Sequence, residues 1–163
     1  MKLLGMILLA ALSITATLAR GEVVSGKIEN WCESGAVFDF DAATSRAGLT
    51  EMKAFWSSAD ESSGTGYFYG GTLSGSQNIE VAVASNISDI TQITDASTYT
   101  FTQYSVGPLG VGTIVVYHNS VTGYYGAIKV DAIQSTTSTC PYHQDVLNGT
   151  WFIQNDGTAN FSR

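Results

Sequence analysis

The stretch VGTIVVYHNSVTGYYGAIKVDAI, residues 111–133, holds two runs of β-branched and aromatic residues separated by a polar segment. The runs, residues 113–118 and 124–133, have the composition that β-strands prefer. The segment between them contains Asn119 and Gly123, residue types that accept a positive φ in a tight turn. The stretch therefore predicts a β-hairpin with a short loop.

The second limb of this hairpin divides into two faces, because successive side chains of a strand point to opposite sides. We expect the apolar face to pack on the core, and it comprises Tyr124, Gly126, Ile128, Val130 and Ala132. The other face has the composition of a solvated antiparallel face, and it comprises Tyr125, Ala127, Lys129, Asp131 and Ile133. Tyr125 beside Lys129 and Asp131 is thus predicted to be available for recognition.

Short alternating segments bounded by Gly, Ser and Asn recur along the rest of the chain. They predict strands at residues 22–29, 36–41, 67–69, 79–84, 99–104 and 148–154. Residues 42–59 are the one stretch with helical spacing, carried by Leu49, Met52, Phe55 and Trp56. About seven or eight short strands predict an all-β fold, an antiparallel β-sandwich with at most one short helix. A jelly-roll-like arrangement or a small barrel is the alternative.

The N-terminus has the pattern of a secretory signal peptide. Lys2 precedes an apolar run at residues 3–12, and small residues follow that run. Cleavage after Ala19 or Gly21 separates a signal peptide, residues 1–21, from a single β-rich domain, residues 22–163. Since the apolar run is shorter than the ~20 residues that span a bilayer, we expect a secreted or periplasmic protein without membrane attachment after signal removal.

The chain is acidic, with 14 Asp and Glu against 7 Lys and Arg and a formal net charge of −7. Without a basic cluster it does not complement a phosphate backbone, which excludes nucleic-acid binding. Cys32 and Cys140 are the only cysteines, and an even number in an exported chain predicts a disulfide bond between them. Neither a zinc motif nor an EF-hand loop is present, and we expect no metal site and no cofactor, with calcium on the carboxylates as the alternative.

Hydrolytic chemistry has few candidates in this sequence. His118 and His143 are the only histidines, no Gly-x-Ser-x-Gly motif is present, and both histidines are interpreted as ordinary surface residues. Asp39 and Asp41, predicted to point outward from one strand, and Glu51 are the candidate carboxylates for glycan hydrolysis.

Aromatic residues are the most suggestive functional feature, with three Trp and eight Tyr in a polar chain. Exposed Tyr and Trp on a β-scaffold stack on sugar rings or anchor protein partners. Tyr67 and Tyr69 share one face of a predicted strand, and Tyr125, Trp56 and Tyr104 are further candidate binding residues. Trp31 and Trp151 are predicted to lie in the core.

These observations favour a secreted binding or structural module that recognises carbohydrate or a cell-surface protein through exposed aromatic side chains. They favour this non-enzymatic function over two alternatives. One is a secreted glycan hydrolase with paired carboxylates. The other is an extracellular subunit that assembles by pairing of edge strands. Triplets at Asn86, Asn148 and Asn160 match the N-glycosylation pattern.

Overall fold

The computed structural model describes residues 23–32, 37–44, 51–59, 64–71, 78–135, 145–154 and 157–162. Its strands are β1 (Val23–Cys32), β2 (Phe38–Asp39), β3 (Lys53–Ser58), β4 (Thr65–Tyr69), β5 (Ile79–Ala84), β6 (Ser105–Gly110), β7 (Ile114–Asn119), β8 (Tyr125–Ser135) and β9 (Asp145–Gln154). A short α-helix, α1 (Phe40–Ala43), follows β2, and two 3₁₀ turns, Ile90–Gln92 and Ala96–Thr98, lie between β5 and β6.

The strands form two antiparallel sheets. The larger has the order β1-β9-β8-β7-β5 and the smaller the order β2-β3-β4-β6. One hydrophobic cluster, the inner cluster, takes side chains from both sheets, including Trp56 and Phe68 from the smaller and Tyr117, Ile128 and Trp151 from the larger. The prediction of an all-β fold with sandwich architecture is confirmed.

The hairpin predicted from residues 111–133 is present. β7 and β8 pair in register from Ile114 opposite Lys129 to His118 opposite Tyr125. In the turn, the Asn119 side-chain oxygen accepts hydrogen bonds from the N–H groups of Val121 and Thr122, at 3.0 and 3.1 Å. This Asx-type turn fixes the loop, and with it the register of both limbs.

Alternation along β8 is interrupted by a bulge. Val130 lies opposite Gly149 and Ala132 opposite Asn148, so Asp131 is an extra residue on β8. Because an extra residue shifts the alternation by one, Ile133 joins Val130 in the inner cluster. The prediction that Ile133 lies on the solvated face is therefore wrong.

The residues of β9 that lie opposite the β8 bulge, within 147–149, also lie opposite a bulge on β1. Ile28 lies opposite Gly149 but Trp31 opposite Leu147. The bulge takes Asn30 to a φ of 55°, and its N–H donates to the Asn148 side-chain oxygen at 2.9 Å. Both Ile28 and Trp31 consequently reach the core. Trp31 and Trp151 are 6% and 4% exposed, which confirms their predicted burial.

The outer face of the larger sheet is largely covered. A second hydrophobic cluster, the outer cluster, includes Ala127 and Val116 from this face and Ile90, Ile93 and Phe161 from the covering segments. Phe161 donates its N–H to the Ile93 carbonyl at 2.9 Å, which fixes the C-terminal segment over the sheet. The prediction that this face of β8 is solvated is wrong for Ala127, which is fully buried.

The helical spacing at residues 42–59 is also misleading. Residues Lys53–Ser58 form β3, because pairing with β4 outweighs a weak local preference. The helix lies earlier, at α1, where the Asp39 side chain accepts from the N–H groups of Asp41 and Ala42.

Asp41 is buried, and its Oδ2 accepts from the Glu51 N–H at 2.8 Å. Its predicted outward orientation is wrong.

The predicted strand at residues 99–104 is not formed. Within it, Thr102 alone makes an isolated bridge, to Val81. The strand lies instead at β6 (Ser105–Gly110), although Gly107 and Pro108 within it are residue types that commonly interrupt strands. β6 is an edge strand, and at an edge the missing N–H of proline costs no ladder hydrogen bond.

Several predictions fall outside the described residues, among them the signal peptide at residues 1–21 and its cleavage after Ala19 or Gly21. Cys32 ends β1 and is not a free thiol. Its predicted partner, Cys140, lies outside the described part, so the bond between them stays a prediction. Within the ranges given above, no helix is long and apolar enough to cross a membrane.

Candidate functional site

The outer face of the smaller sheet carries a group of adjoining aromatic side chains. Along β3 and β4, Trp56 and Phe68 point into the core and are fully buried. Alternation therefore places Phe55, Tyr67 and Tyr69 on the opposite side of the sheet. We call these three residues, with the neighbouring Ser57 and Thr65, the aromatic face.

Strand pairing brings the members of the aromatic face together. Phe55 lies opposite Tyr69, with ring centroids 5.4 Å apart and planes inclined by 58°. Ser57 lies opposite Tyr67, and its hydroxyl is hydrogen-bonded to the Tyr69 hydroxyl at 3.0 Å. This diagonal bond fixes the Tyr69 ring against its cross-strand neighbour.

A glycine on β6 allows close approach at Tyr67. A Cβ atom added to Gly107 would lie 2.8 Å from the Gly66 carbonyl oxygen and 3.1 Å from atoms of Tyr67, and the φ of Gly107 is +138°. Only glycine fits such a position without strain. The Tyr67 ring thus lies against bare backbone on this side.

The three rings are half-buried, yet they belong to neither hydrophobic cluster of the described residues. In this they differ from the outer face of the larger sheet, where the outer cluster packs. Two residues of opposite charge lie at the border of the face, where Asp39 of β2 is opposite Lys53 of β3. The centre of the aromatic face consists of aromatic rings and hydroxyl groups and carries no charged side chain.

Trp56 does not belong to this surface. Its side chain is 0% exposed and forms an edge contact with Trp31 at 6.2 Å between ring centroids. The prediction of Trp56 as a surface binding residue is therefore wrong, since alternation from Phe55 directs it into the core.

Tyr125 lies on the other sheet of the sandwich, so it does not converge with Tyr67 and Tyr69. Its ring stacks on His118, with centroids 4.5 Å apart and planes inclined by 19°. Phe101 lies 5.5 Å from the His118 ring and 6.2 Å from the Tyr125 ring. His118 Nδ1 is 3.1 Å from Glu80 Oε2. His118 is therefore a partly exposed side chain that these contacts hold in place.

Electrostatics at Tyr125 are dominated by burial and by acidic neighbours. Burial raises the pKa of the Tyr125 hydroxyl, and the carboxylates of Asp95 and Glu80 raise it further. Both effects disfavour the phenolate, so the hydroxyl remains protonated.

Lys129 and Asp131, predicted beside Tyr125, are engaged elsewhere. Lys129 donates to the Ser88 carbonyl at 2.8 Å. Asp131 Oδ2 accepts from Lys27 at 3.0 Å and from the Thr150 hydroxyl at 2.7 Å. Burial by itself would raise the pKa of Asp131, but these two hydrogen bonds and the Lys27 charge outweigh it and lower that pKa.

The carboxylates considered for hydrolysis have structural partners. Asp39 caps α1 and Asp41 binds the Glu51 backbone. Neither contact places two carboxylates on opposite sides of a substrate, as glycoside hydrolysis requires. In the part of the chain that the structure describes, no group of three or more His, Cys, Asp or Glu is placed to hold a metal ion.

Two features of these surfaces escaped sequence reasoning. Helical spacing includes Phe55, and because Ala54, Phe55 and Trp56 are all apolar, no alternation marks this segment as a strand with two different faces. The contact of Glu80 with His118 depends on the register of β5 against β7. No local pattern gives that register, since the two residues are 38 positions apart.

No protein-family model matches the chain, and no curated protein and no solved structure is significantly similar to it.

Proposed function

We propose that this protein is a secreted, non-enzymatic binding module that recognises carbohydrate through the aromatic face of its smaller sheet. One observation carries the proposal. Phe55, Tyr67 and Tyr69 adjoin one another on a sheet face and are left out of both hydrophobic clusters of the described residues. Apolar side chains that the core does not use are typical of binding surfaces.

The chemistry of the face favours a sugar over an aliphatic or charged ligand. Aromatic rings offer flat apolar surface to the C–H side of a pyranose ring, and the phenol hydroxyls hydrogen-bond to its rim. Tyr67 and Tyr69 supply both features, while the Ser57 and Thr65 hydroxyls border them. Secretion rests on the signal-like N-terminus alone, and it would bring the domain to extracellular glycans.

Glycan hydrolysis receives less support. The carboxylates Asp39 and Asp41 make hydrogen bonds within the fold, at the start of α1 and to the Glu51 backbone. A catalytic acid and its partner must instead reach the scissile bond from both sides. We therefore place the function in binding.

A glycan array probed with the wild-type domain tests the proposal, followed by titration of the best glycan. We expect the variants Tyr67→Ala and Tyr69→Ala each to weaken binding about tenfold, because an aromatic contact contributes roughly 0.5–1.5 kcal/mol beyond its buried area. Thermal unfolding of each variant shows whether the fold is retained.

Val121→Ala is the control, since Val121 is 70% exposed and lies in the β7–β8 turn of the larger sheet. Tyr104 does not serve as a control, because its carbonyl accepts from the Gly70 N–H at 2.7 Å, next to Tyr69. Binding by Val121→Ala should equal that of the wild type. An array without signal from the wild type would refute carbohydrate recognition and leave a protein partner as the ligand. Equal losses in all three variants would place the site elsewhere.

A further inference from the structure

A second polar and aromatic site lies at one end of the larger sheet, on the outer face. Four side chains form a row across neighbouring strands, because Glu80 lies opposite His118, His118 opposite Tyr125 and Tyr125 opposite Gln154. Directly opposed residues of antiparallel strands point to the same face. The row is therefore a continuous line of four functional groups.

Aromatic rings form one wall of this site. The His118 and Tyr125 rings stack nearly parallel. Phe101, from the segment before β6, makes tilted ring contacts with both. All three side chains are only partly buried. Ring faces and edges are thus within reach of a ligand at this end of the sheet.

The polar groups of the site are mostly hydrogen-bond acceptors. The 3.1 Å contact between His118 Nδ1 and Glu80 Oε2 is a hydrogen bond in which Nδ1–H donates, because a carboxylate oxygen accepts. The side chains of His118 and Glu80 are 20% and 26% exposed, so the pair is open to small molecules.

Gln154 adds a buried acceptor at the end of the row. The residue is 1% exposed, and its Nε2 donates to the Asn160 carbonyl at 2.7 Å and to the Thr158 hydroxyl at 2.5 Å. Its Oε1 has no hydrogen-bond partner within the described structure. This unpaired carbonyl oxygen leaves uncompensated negative potential at this end of the row, beside Tyr125.

The site is also negatively charged. Asp95 and Glu80 lie close enough to raise the pKa of Tyr125 in addition to the effect of burial. Their hydrogen bonds in the described structure go to Ser97 and His118, not to a Lys or Arg. Two carboxylates near aromatic rings, without a basic side chain bonded to either, complement a cation.

We propose that this end of the larger sheet binds the protonated amino group of an organic amine. An ammonium group brings N–H donors to a site that consists mainly of acceptors, and a positive charge to two carboxylates. Aromatic rings attract such a cation further. An organic cation fits better than a metal ion, since the described residues hold no cluster of three metal-ligating side chains.

Titration of the whole protein with methylammonium chloride, followed by NMR, tests this site. We expect saturable chemical-shift changes at His118, Tyr125 and Gln154. Potassium chloride at the same ionic strength should not produce them. The variants Glu80→Gln and Asp95→Asn remove a charge but keep an acceptor for His118 and for Ser97. Each should weaken binding about threefold, as expected for partly exposed charges.

Asp131→Asn is the matched control, because Asp131 lies on the same strand as Tyr125 but pairs with Lys27. Methylammonium binding by this variant should equal that of the wild type. Shifts that do not saturate, or that potassium reproduces, would overturn the proposal. So would an equal loss in Asp131→Asn. None of these results bears on the aromatic face of the other sheet.

Discussion

Two large side chains in the inner cluster carry polar atoms that are buried without partners. Tyr117 and Trp56 are both 0% exposed, and neither the Tyr117 hydroxyl nor the Trp56 Nε1 has a hydrogen-bond partner in the described structure. Burial raises the pKa of Tyr117 far above its ordinary value. The hydroxyl therefore stays protonated and acts in the core only as an uncompensated dipole.

Tyr117→Phe should consequently leave the fold at least as stable as the wild type, and we expect a gain of about 1 kcal/mol in the free energy of unfolding. The ring keeps its packing against Phe40, where the centroids lie 6.1 Å apart. Urea unfolding measures the effect. Tyr69→Phe is the contrast, because it loses the hydrogen bond to Ser57 and should be less stable. A marked loss in Tyr117→Phe would mean that its hydroxyl has a bound partner.

Among the strands, β9 has a special position. It is paired on both sides, and its neighbours β1 and β8 each bulge where they meet residues 147–149. Within that segment, Gly149 lies opposite Ile28 of β1 and Val130 of β8. A Cβ atom added to Gly149 would lie 2.7 Å from the Lys129 carbonyl oxygen, which belongs to the backbone and cannot rotate away.

Gly149→Ala should therefore be destabilising by about 1–3 kcal/mol, the usual cost of forcing an atom into a packed region. Chemical unfolding gives the size of the effect. Gly110→Ala is the control in a strand, since its added Cβ would meet Thr65 at an ordinary 3.6 Å. Similar free energies of unfolding for the two variants would show that the β8 backbone can move away from residue 149 without loss of stability.

At the scale of the whole molecule, the edges of both sheets are protected. β1 carries the charged Lys27 and a bulge, and β6 contains Pro108. β5 exchanges two backbone hydrogen bonds with Thr102, at 2.8 and 2.9 Å, and β2 is only two residues long. Charges, bulges, proline and short strands are the devices that prevent edge-to-edge association.

We therefore expect a monomer in solution, in contrast to assembly by edge-strand pairing. Light scattering over a wide range of protein concentration should give a constant mass. Lys27→Val removes the charge from the long β1 edge and should promote association. Lys53→Val, on a strand paired on both sides, should not. A wild-type mass that rises with concentration would contradict a monomer and support assembly by edge-strand pairing.

The sequence by itself determined the β-rich class, the central hairpin and the aromatic pair Tyr67 and Tyr69. These follow from strand composition, turn residues and alternation, which are local properties of the chain. Alternation failed at Ile133 and at Asp41. In the first case a bulge against β9 shifts the faces, and in the second a helical turn replaces the strand.

Only the tertiary structure decided which faces are covered and which residues meet. The outer cluster buries Ala127 because distant segments, including Phe161, pack on it. Trp56 is buried and Phe55 is only half-buried, because successive side chains of β3 point in turn to the interior of the sandwich and to its outer face. The row from Glu80 to Gln154 exists because β5 and β9 pair in register with the two sides of the β7–β8 hairpin. Such contacts depend on long-range pairing and packing, which no local pattern of residues encodes.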